Sequence, residues 1–356
     1  MQLGIIGLPQ SGKTTLYKAL TGADIPAEMS AGQLEVHTAV VDVPDVRVDQ
    51  LVDIYNPKKI VRAKVTYADI AGLDGSAGKE GLSGALFNQL SQMDGYIHVV
   101  RQFENASVPI LSGSIDPVRD VQVMDSEFIL NDLIMVERKL ERLAEEHRRG
   151  VSRERSVIEI EIALFERLKG MLNTEKPLRH FTFTAEEERI LSSYGFLSRK
   201  PQIIVFNQSD EQAALKYESP HPHTDVVSIP AKLEMDIAAL SEEDAALFME
   251  EYGISEPSLK KLIRLSYELL GLQSFFTASE KEVHAWTLRR GANAREAAGV
   301  IHSDMEKGFI RAEVISFEDI LTYGGTAEAR AKGRLRVEGK DYIVADGDIL
   351  VIRFNI

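Results

Sequence analysis

Residues Gly7–Thr14 read GLPQSGKT, a G-x-x-x-x-G-K-S/T pattern that follows the apolar run QLGIIG and opens the helix-forming stretch KTTLYKALTG. A strand, a glycine turn and a helix in that order constrain the fold strongly. The glycines allow backbone N–H groups to turn inward and approach phosphate oxygens, and the helix N-terminus adds partial positive charge. Lys13 is placed to reach the β- and γ-phosphates, and the Thr14 hydroxyl to ligate Mg²⁺. The expected phosphate-binding set is Pro9, Gln10, Ser11, Gly12, Lys13, Thr14 and Thr15, with Lys13 and Thr14 also catalytic. The competing reading is a tight strand-to-helix turn with no ligand.

Further apolar runs point to a parallel sheet with helices on both faces: Ala63–Ile70, Gly95–Val100, Gln202–Asn207 and Val226–Pro230. Two of them end in motifs. DIAG, Asp69–Gly72, closes the Ala63 run; a carboxylate there holds Mg²⁺ through water, and the Gly72 N–H meets the γ-phosphate. The next residue is Leu73, where many GTPases carry the glutamine that orients water, so intrinsic hydrolysis is expected to be slow or partner-dependent. NQSD, Asn207–Asp210, follows the Gln202 run and fits an N-x-x-D base-reading position. The Asp210 carboxylate matches the two adjacent donors of guanine, although Gln208 replaces the usual lysine. In PAKLE, a backbone N–H at Ala231 or Lys232 is expected to meet the purine.

Between Met124 and Leu197 the rhythm changes. Ile129, Leu133, Val136, Leu140 and Leu143 recur at helical spacing, as do Ile158, Ile162, Phe165, Leu168 and Leu172, with the charged HRRGVSRERS between them. This predicts a helical hairpin inserted in the α/β domain. Its tip carries Arg148, Arg149, Arg153 and Arg155, diluted by Glu145, Glu146 and Glu154; a solvated turn accounts for them slightly better than a phosphate contact. After Thr277, WTLRRG, RLRVEG, DYIVADGD and ILVIRFNI read as short strands, with a helix over NAREAAGVIHSDM. Arg289, Arg290, Arg334 and Arg336 lie on or beside these strands, and Trp286 reads as core.

Composition limits the remaining choices. A chain of 356 residues exceeds the usual single-domain size. No apolar run approaches the roughly 18 residues of a membrane span, the N-terminus lacks a signal-peptide pattern, and there is no cysteine. A net charge of -14 argues against a generally basic nucleic-acid coat. His98 and His302 lack zinc-ligand spacing. The expectation is a soluble, cytoplasmic, monomeric multidomain protein with no membrane association.

The stretches DIAGL, IHVVRQFEN (Ile97–Asn105), AAGVIHSDMEKGFIRAEVI (Ala297–Ile315) and EGKDYIVADGDILVIRFN (Glu338–Asn355) resemble the YchF family of Obg-like ATPases. The resemblance covers nearly the whole chain. It implies an α/β P-loop fold with an inserted helical hairpin and a small α+β TGS (ubiquitin-like) domain. The expected boundaries are a G domain at 1–124 and 198–276, a helical insertion at 125–197 and TGS at 277–356. It also implies hydrolysis of ATP, often alongside GTP, with Mg²⁺, and association with the ribosome or its RNA. The family's GLPNVGKST is GLPQSGKTT here, which keeps the glycines, Lys13 and a hydroxyl. Gln33 aligns with a switch I threonine that can ligate Mg²⁺, with Thr38 a nearby hydroxyl. Ile110 stands where the family often has a histidine, and Asp210 where it has glutamate. The resemblance points to ATP and the Asp210 geometry to guanine, so both purines stay open.

Three functions are compatible with these residues: a slow nucleotide-dependent switch, a nucleotide-binding module that no longer turns over, and a small-molecule kinase. The last leaves Asn207–Asp210 and the C-terminal region without a role.

Overall fold

The computed structural model describes residues 1–22, 36–70, 82–110, 113–149 and 153–355. The chain begins β1 (Gln2–Ile6), α1 (Lys13–Thr21), β2 (His37–Asp42), α2 (Val46–Tyr55), β3 (Ile60–Val61), β4 (Lys64–Asp69), α3 (Gly84–Ser91) and β5 (Gly95–Arg101). It continues with α4 (Pro117–Arg149), α5 (Arg155–Leu172), α6 (Ala185–Leu191), β6 (Gln202–Asn207), β7 (Thr224–Ile229), α7 (Ala231–Ala238), α8 (Glu242–Glu251) and α9 (Ser258–Leu269). Last come β8 (Leu272–Ala278), β9 (Val283–Arg289), α10 (Ala294–Ile301), α11 (Ser303–Lys307), β10 (Phe309–Ile315), α12 (Phe317–Tyr323), α13 (Thr326–Ala331), β11 (Arg336–Glu338) and β12 (Ile349–Phe354).

Two compact units result: Met1–Ala39 with Thr66–Leu259, and Val40–Val65 with Lys260–Ile356. The first holds the sheet ordered β2-β4-β1-β5-β6-β7, in which β4, β1, β5, β6 and β7 run parallel. Every residue of β5 and β6 is buried, which explains why these strands read as unbroken apolar runs rather than alternating ones. Parallel strands bring the ends of β1, β4, β5 and β6 to one edge of the sheet, where ligands of open α/β sheets bind.

The expected hairpin is formed by α4 and α5. The first spans 33 residues, about 50 Å at 1.5 Å per residue. Val136, Phe165, Leu168 and Leu172 lie between them, joined by Phe196 and Leu191. Fully burying side chains of this size stabilises by about 1.5–3 kcal/mol each. The base of α4 is tied to the α/β core by Asp132, fully buried, which accepts the N–H groups of Leu197 (2.9 Å) and Ser198 (2.8 Å). Burial outweighs these bonds and raises its pKa to about 6. Two turns nearer the sheet, Asp125 pairs with the buried Arg179 at 2.5 Å. The hairpin therefore packs as part of the first unit rather than as a separate one.

The second unit is a mixed sheet ordered β11-β10-β12-β8-β9-β3. Here the boundaries expected from the sequence shift. Residues 40–65, placed in the G domain on order along the chain, belong to this unit because Ile60 and Val61 pair with Val283 and His284. In addition, Arg47 bonds both Asp45 and Asp346. Two smaller expectations are also corrected. DYIVADGD forms a turn with a single bridge, Asn293 to Ile343, because Asp348 turns back to accept the Ala345 N–H and the Tyr342 hydroxyl. The helix over NAREAAGVIHSDM breaks at His302, which is extended (φ -163°) and whose Nδ1 accepts the Asp304 N–H.

Among the described residues no helix is long and apolar enough to cross a membrane, and no three His, Cys, Asp or Glu side chains gather to hold a metal ion.

Candidate functional site

β1 ends at Gly7, whose φ of +151° and the approach of the Val99 carbonyl leave no room for a side chain: a Cβ there would lie 2.2 Å from that oxygen. The loop turns through Gln10 (φ 64°) and Gly12 (φ 95°), and Gly12 caps α1 with no side-chain hydrogen bond at its start. The first N–H groups of α1 are thus left for an anion. Lys13 folds back over the loop, its Nζ donating to the carbonyls of Gly7 (2.9 Å) and Leu8 (3.0 Å). Burial lowers its pKa to about 8, opposed by the Asp69 carboxylate. A positive charge inside a ring of main-chain amides suits a polyphosphate. Pro9 and Gln10 are exposed at the mouth, Ser11 is buried, and Thr15 is half-buried in the first turn of α1.

Thr14 and Asp69 meet as the sequence predicts. The Thr14 hydroxyl donates to Asp69 Oδ2 at 3.0 Å, and β4, parallel to β1, brings the carboxylate there. Burial raises the Asp69 pKa, while Thr14, Lys13 and His37 lower it. A hydroxyl and a carboxylate that converge beside a phosphate loop form the hard-oxygen pair that Mg²⁺ prefers. Gly72, Leu73 and Gln33 lie outside the described residues; Thr38 is exposed on β2.

On the base side two of the expected residues bond each other. Asn207 is buried and each end of its amide makes one bond within the protein: Nδ2 donates to the Ser11 carbonyl (2.9 Å) and Oδ1 accepts the Ala231 N–H (3.1 Å), which leaves a second N–H and a second lone pair for a base. Asn207 is a brace between phosphate loop and base loop. Ala231, expected to offer its N–H to a purine, already donates that proton to Asn207. Lys232, next in the first turn of α7, keeps the main-chain role available, while its ammonium pairs with Asp236 at 2.6 Å. Asp210 is exposed and has no partner among the described residues, as a base-reading carboxylate requires.

Sequence reasoning missed what lies beneath the loop. A cavity of about 220 Å³ is lined by Leu8, Ser11, His98, Arg101, Ile110 and Asp120, among others. His98 is 1 % exposed, and neither its ring nitrogens nor Ser11 Oγ has a hydrogen-bond partner among the described residues. Burial holds the His98 pKa near 4, so the ring is neutral at pH 7. Arg101 closes one side, donating to the carbonyls of Phe103, Val108 and Pro109. The signal was a histidine and an arginine inside an apolar strand, where only a cavity or a partner explains them.

The basic patches are largely neutralised. At the hairpin tip, Arg149 pairs with Glu145, Arg153 with Glu146 and Glu161, and Arg155 with Glu159. In the second unit Arg334 faces Asp319, and Arg336 faces Glu338 and Asp348. Trp286 is half-buried against Phe275 and His284.

Comparison with known proteins agrees with this geometry. A family model described as a 50S ribosome-binding GTPase matches residues 2–208. The YchF-type GTPase C-terminal model, described as a protein of unknown function, matches residues 272–355. The chain is 38% identical to the ribosome-binding ATPase YchF of Bacillus subtilis and 40% identical to that of Escherichia coli O157:H7, over 99% of each chain in both cases. The solved structure of the Schizosaccharomyces pombe YchF GTPase superposes with a TM-score of 0.86 at 31% identity, covering 99% of this chain and 97% of that one. With full-length relatives above 30% identity and this phosphate loop, the chain is a P-loop protein of the YchF family.

Proposed function

We propose that the protein is a Mg²⁺-dependent purine nucleoside triphosphatase that turns over slowly and acts as a switch in association with the ribosome. One observation carries the enzymatic part: Lys13, Thr14 and Asp69 converge at the mouth of β1, joined by the Thr14–Asp69 hydrogen bond. In this reading the main-chain amides of residues 9–15 and the Lys13 ammonium hold the β- and γ-phosphates. Lys13 exchanges its bonds to the Gly7 and Leu8 carbonyls for phosphate oxygens. Thr14 and Asp69 hold the metal, which when bound neutralises charge on the phosphate oxygens. Asp210 reads the base, and Asn207 keeps the two loops in register. Gly72 is assigned to the γ-phosphate. Leu73 and Ile110 offer no group that can orient water, which is the physical reason for slow turnover.

The ribosome enters from the names of the relatives in Bacillus subtilis and Escherichia coli. Pairing of Arg149, Arg153 and Arg155 makes a sequence-independent RNA contact at the tip weak, so the second unit, assigned as TGS-like, is the element proposed to meet the ribosome. We place the protein in the cytoplasm, with the ribosomes that its relatives are named for, and take it to act as a monomer.

The test is phosphate release with ATP and GTP, each with and without Mg²⁺, for wild type and Lys13→Ala. Slow, Mg²⁺-dependent release lost in the variant supports the reading. Calorimetry showing that neither purine triphosphate binds would overturn it. Tight binding with no release, even with ribosomes added, would leave only a nucleotide-binding module.

A further inference from the structure

A groove of about 410 Å³ runs along the first unit between α3 and α4, away from the phosphate loop. Its floor is apolar and aromatic: Leu82, Phe87, Ile134, Met135 and Tyr194, all half-buried. One wall is formed by Arg138 and Arg142, one helical turn apart on α4 and therefore on the same face. Both are exposed, and neither has an acidic partner among the described residues. That distinguishes them from most of their basic neighbours, since Lys139 pairs with Glu161, and Arg149, Arg153 and Arg155 pair with glutamates. On a chain with a net charge of -14, two guanidinium groups without acidic partners among the described residues, beside an apolar trough that no described residue fills, form a specific combination.

We propose that this groove docks an acidic, amphipathic helix of a partner protein, with the apolar side of the helix in the trough and its carboxylates on Arg138 and Arg142. Three observations favour that occupant. The lining is rich in aromatic residues, Met and Arg, the composition that marks protein-binding surfaces. The trough lies along a helix, and helix-in-groove recognition places apolar anchors at i, i+3/i+4 and i+7. Carboxylates complement the arginines, and each arginine can hold one through two parallel N–H groups. A nucleic-acid strand fits less well. Its phosphates would match the arginines and Phe87 and Tyr194 could each meet a base, but the aliphatic Leu82, Ile134 and Met135 fill the rest of the floor with surface on which bases do not stack.

The test uses the full-length protein and a labelled helical peptide with Leu and Phe at i, i+3, i+4 and i+7 and Glu elsewhere. The controls are a scrambled peptide of the same composition and an oligouridylate. Fluorescence anisotropy is expected to show saturable binding of the patterned peptide, weakened by rising salt. Arg138→Glu combined with Arg142→Glu should lower affinity at least about tenfold. Because both arginines are exposed, the double variant should keep the wild-type melting temperature and nucleotide affinity. Equal binding of the scrambled peptide would mean charge alone and overturn the proposal. So would arginine-dependent binding of the oligouridylate without the peptide. Self-association of the protein that Arg138→Glu abolishes would assign the groove to a second copy and overturn it as well.

Discussion

The Asn207 side chain donates to the main-chain carbonyl of Ser11 at 2.9 Å, linking the end of β6 to the phosphate loop across the mouth of the sheet. The same amide accepts from Ala231, so a single side chain fixes three segments that a nucleotide must meet together. Asn207→Ala leaves a buried carbonyl and a buried N–H without partners, at a cost of about 2–4 kcal/mol. Urea unfolding should register that loss, and triphosphate affinity should fall with it. Asn207→Asp is expected to be worse for binding, because it turns a carboxylate oxygen toward the Ser11 carbonyl.

Gly12 is required by that same contact. A Cβ at Gly12 would lie 2.1 Å from Asn207 Nδ2, and the φ of +95° disfavours any side chain. Gly12→Ala should therefore destabilise the fold by more than about 1 kcal/mol and abolish nucleotide binding in calorimetry. A variant that binds normally would show that the loop relaxes away from Asn207.

The neutral, buried His98 makes stability depend on pH. Its pKa is about 4 in the folded protein against 6.5 for the free side chain. Above pH 6.5 both states hold a neutral ring. Between 6.5 and about 4 only the unfolded chain takes up the proton, so stability falls as the pH drops, by about 3 kcal/mol over that window. Unfolding midpoints at pH 7 and pH 4.5 for wild type and His98→Gln will measure this. The variant should lose less on acidification.

Lys200 closes the C-terminal end of α3, donating to the carbonyls of Leu90 (2.9 Å), Ser91 (2.6 Å) and Met93. Lys200→Met keeps the stem but strips three carbonyls of their donor, and thermal unfolding should show a loss of about 1–3 kcal/mol. Nucleotide affinity should be unchanged, since Lys200 precedes β6, at the end of that strand opposite Asn207, and its bonds go to the end of α3 rather than to the phosphate loop.

Asp210 tests base choice. If its carboxylate accepts two adjacent guanine donors, Asp210→Ala should weaken binding of GTP analogues about tenfold or more relative to ATP analogues. An equal loss for both purines would place base recognition elsewhere.

Much of this was legible in the sequence because the first unit is built from local signals. The apolar run to Gly7, the glycines at 7 and 12 and the acid closing the Lys64–Asp69 strand each state their own conformation within a few residues. The hairpin was legible for the same reason, through its helical periodicity. What was hidden depends on partners distant in sequence. Nothing around Asn207 announces that its amide is turned toward Ser11. His98 inside an apolar strand signals a cavity or a partner without saying which, and nothing around Asp132 announces the two N–H groups it accepts from Leu197 and Ser198. The edge strand Ile60–Val61 is too short to carry a pattern, and its side of the chain is decided by residues far downstream.

That edge strand bears on how the protein emerges during synthesis. Val61 finds its strand neighbour only at His284, and Arg47, already beside Asp45, finds its second counter-ion at Asp346. The partners that this early stretch meets in the second sheet, Val283, His284 and Asp346, are therefore synthesised long after it. Closing so long a loop is slow. A C-terminal truncation would release this inner segment along with the tail, a loss that protease digestion of nascent chains would report as a cleavage near residues 40–65.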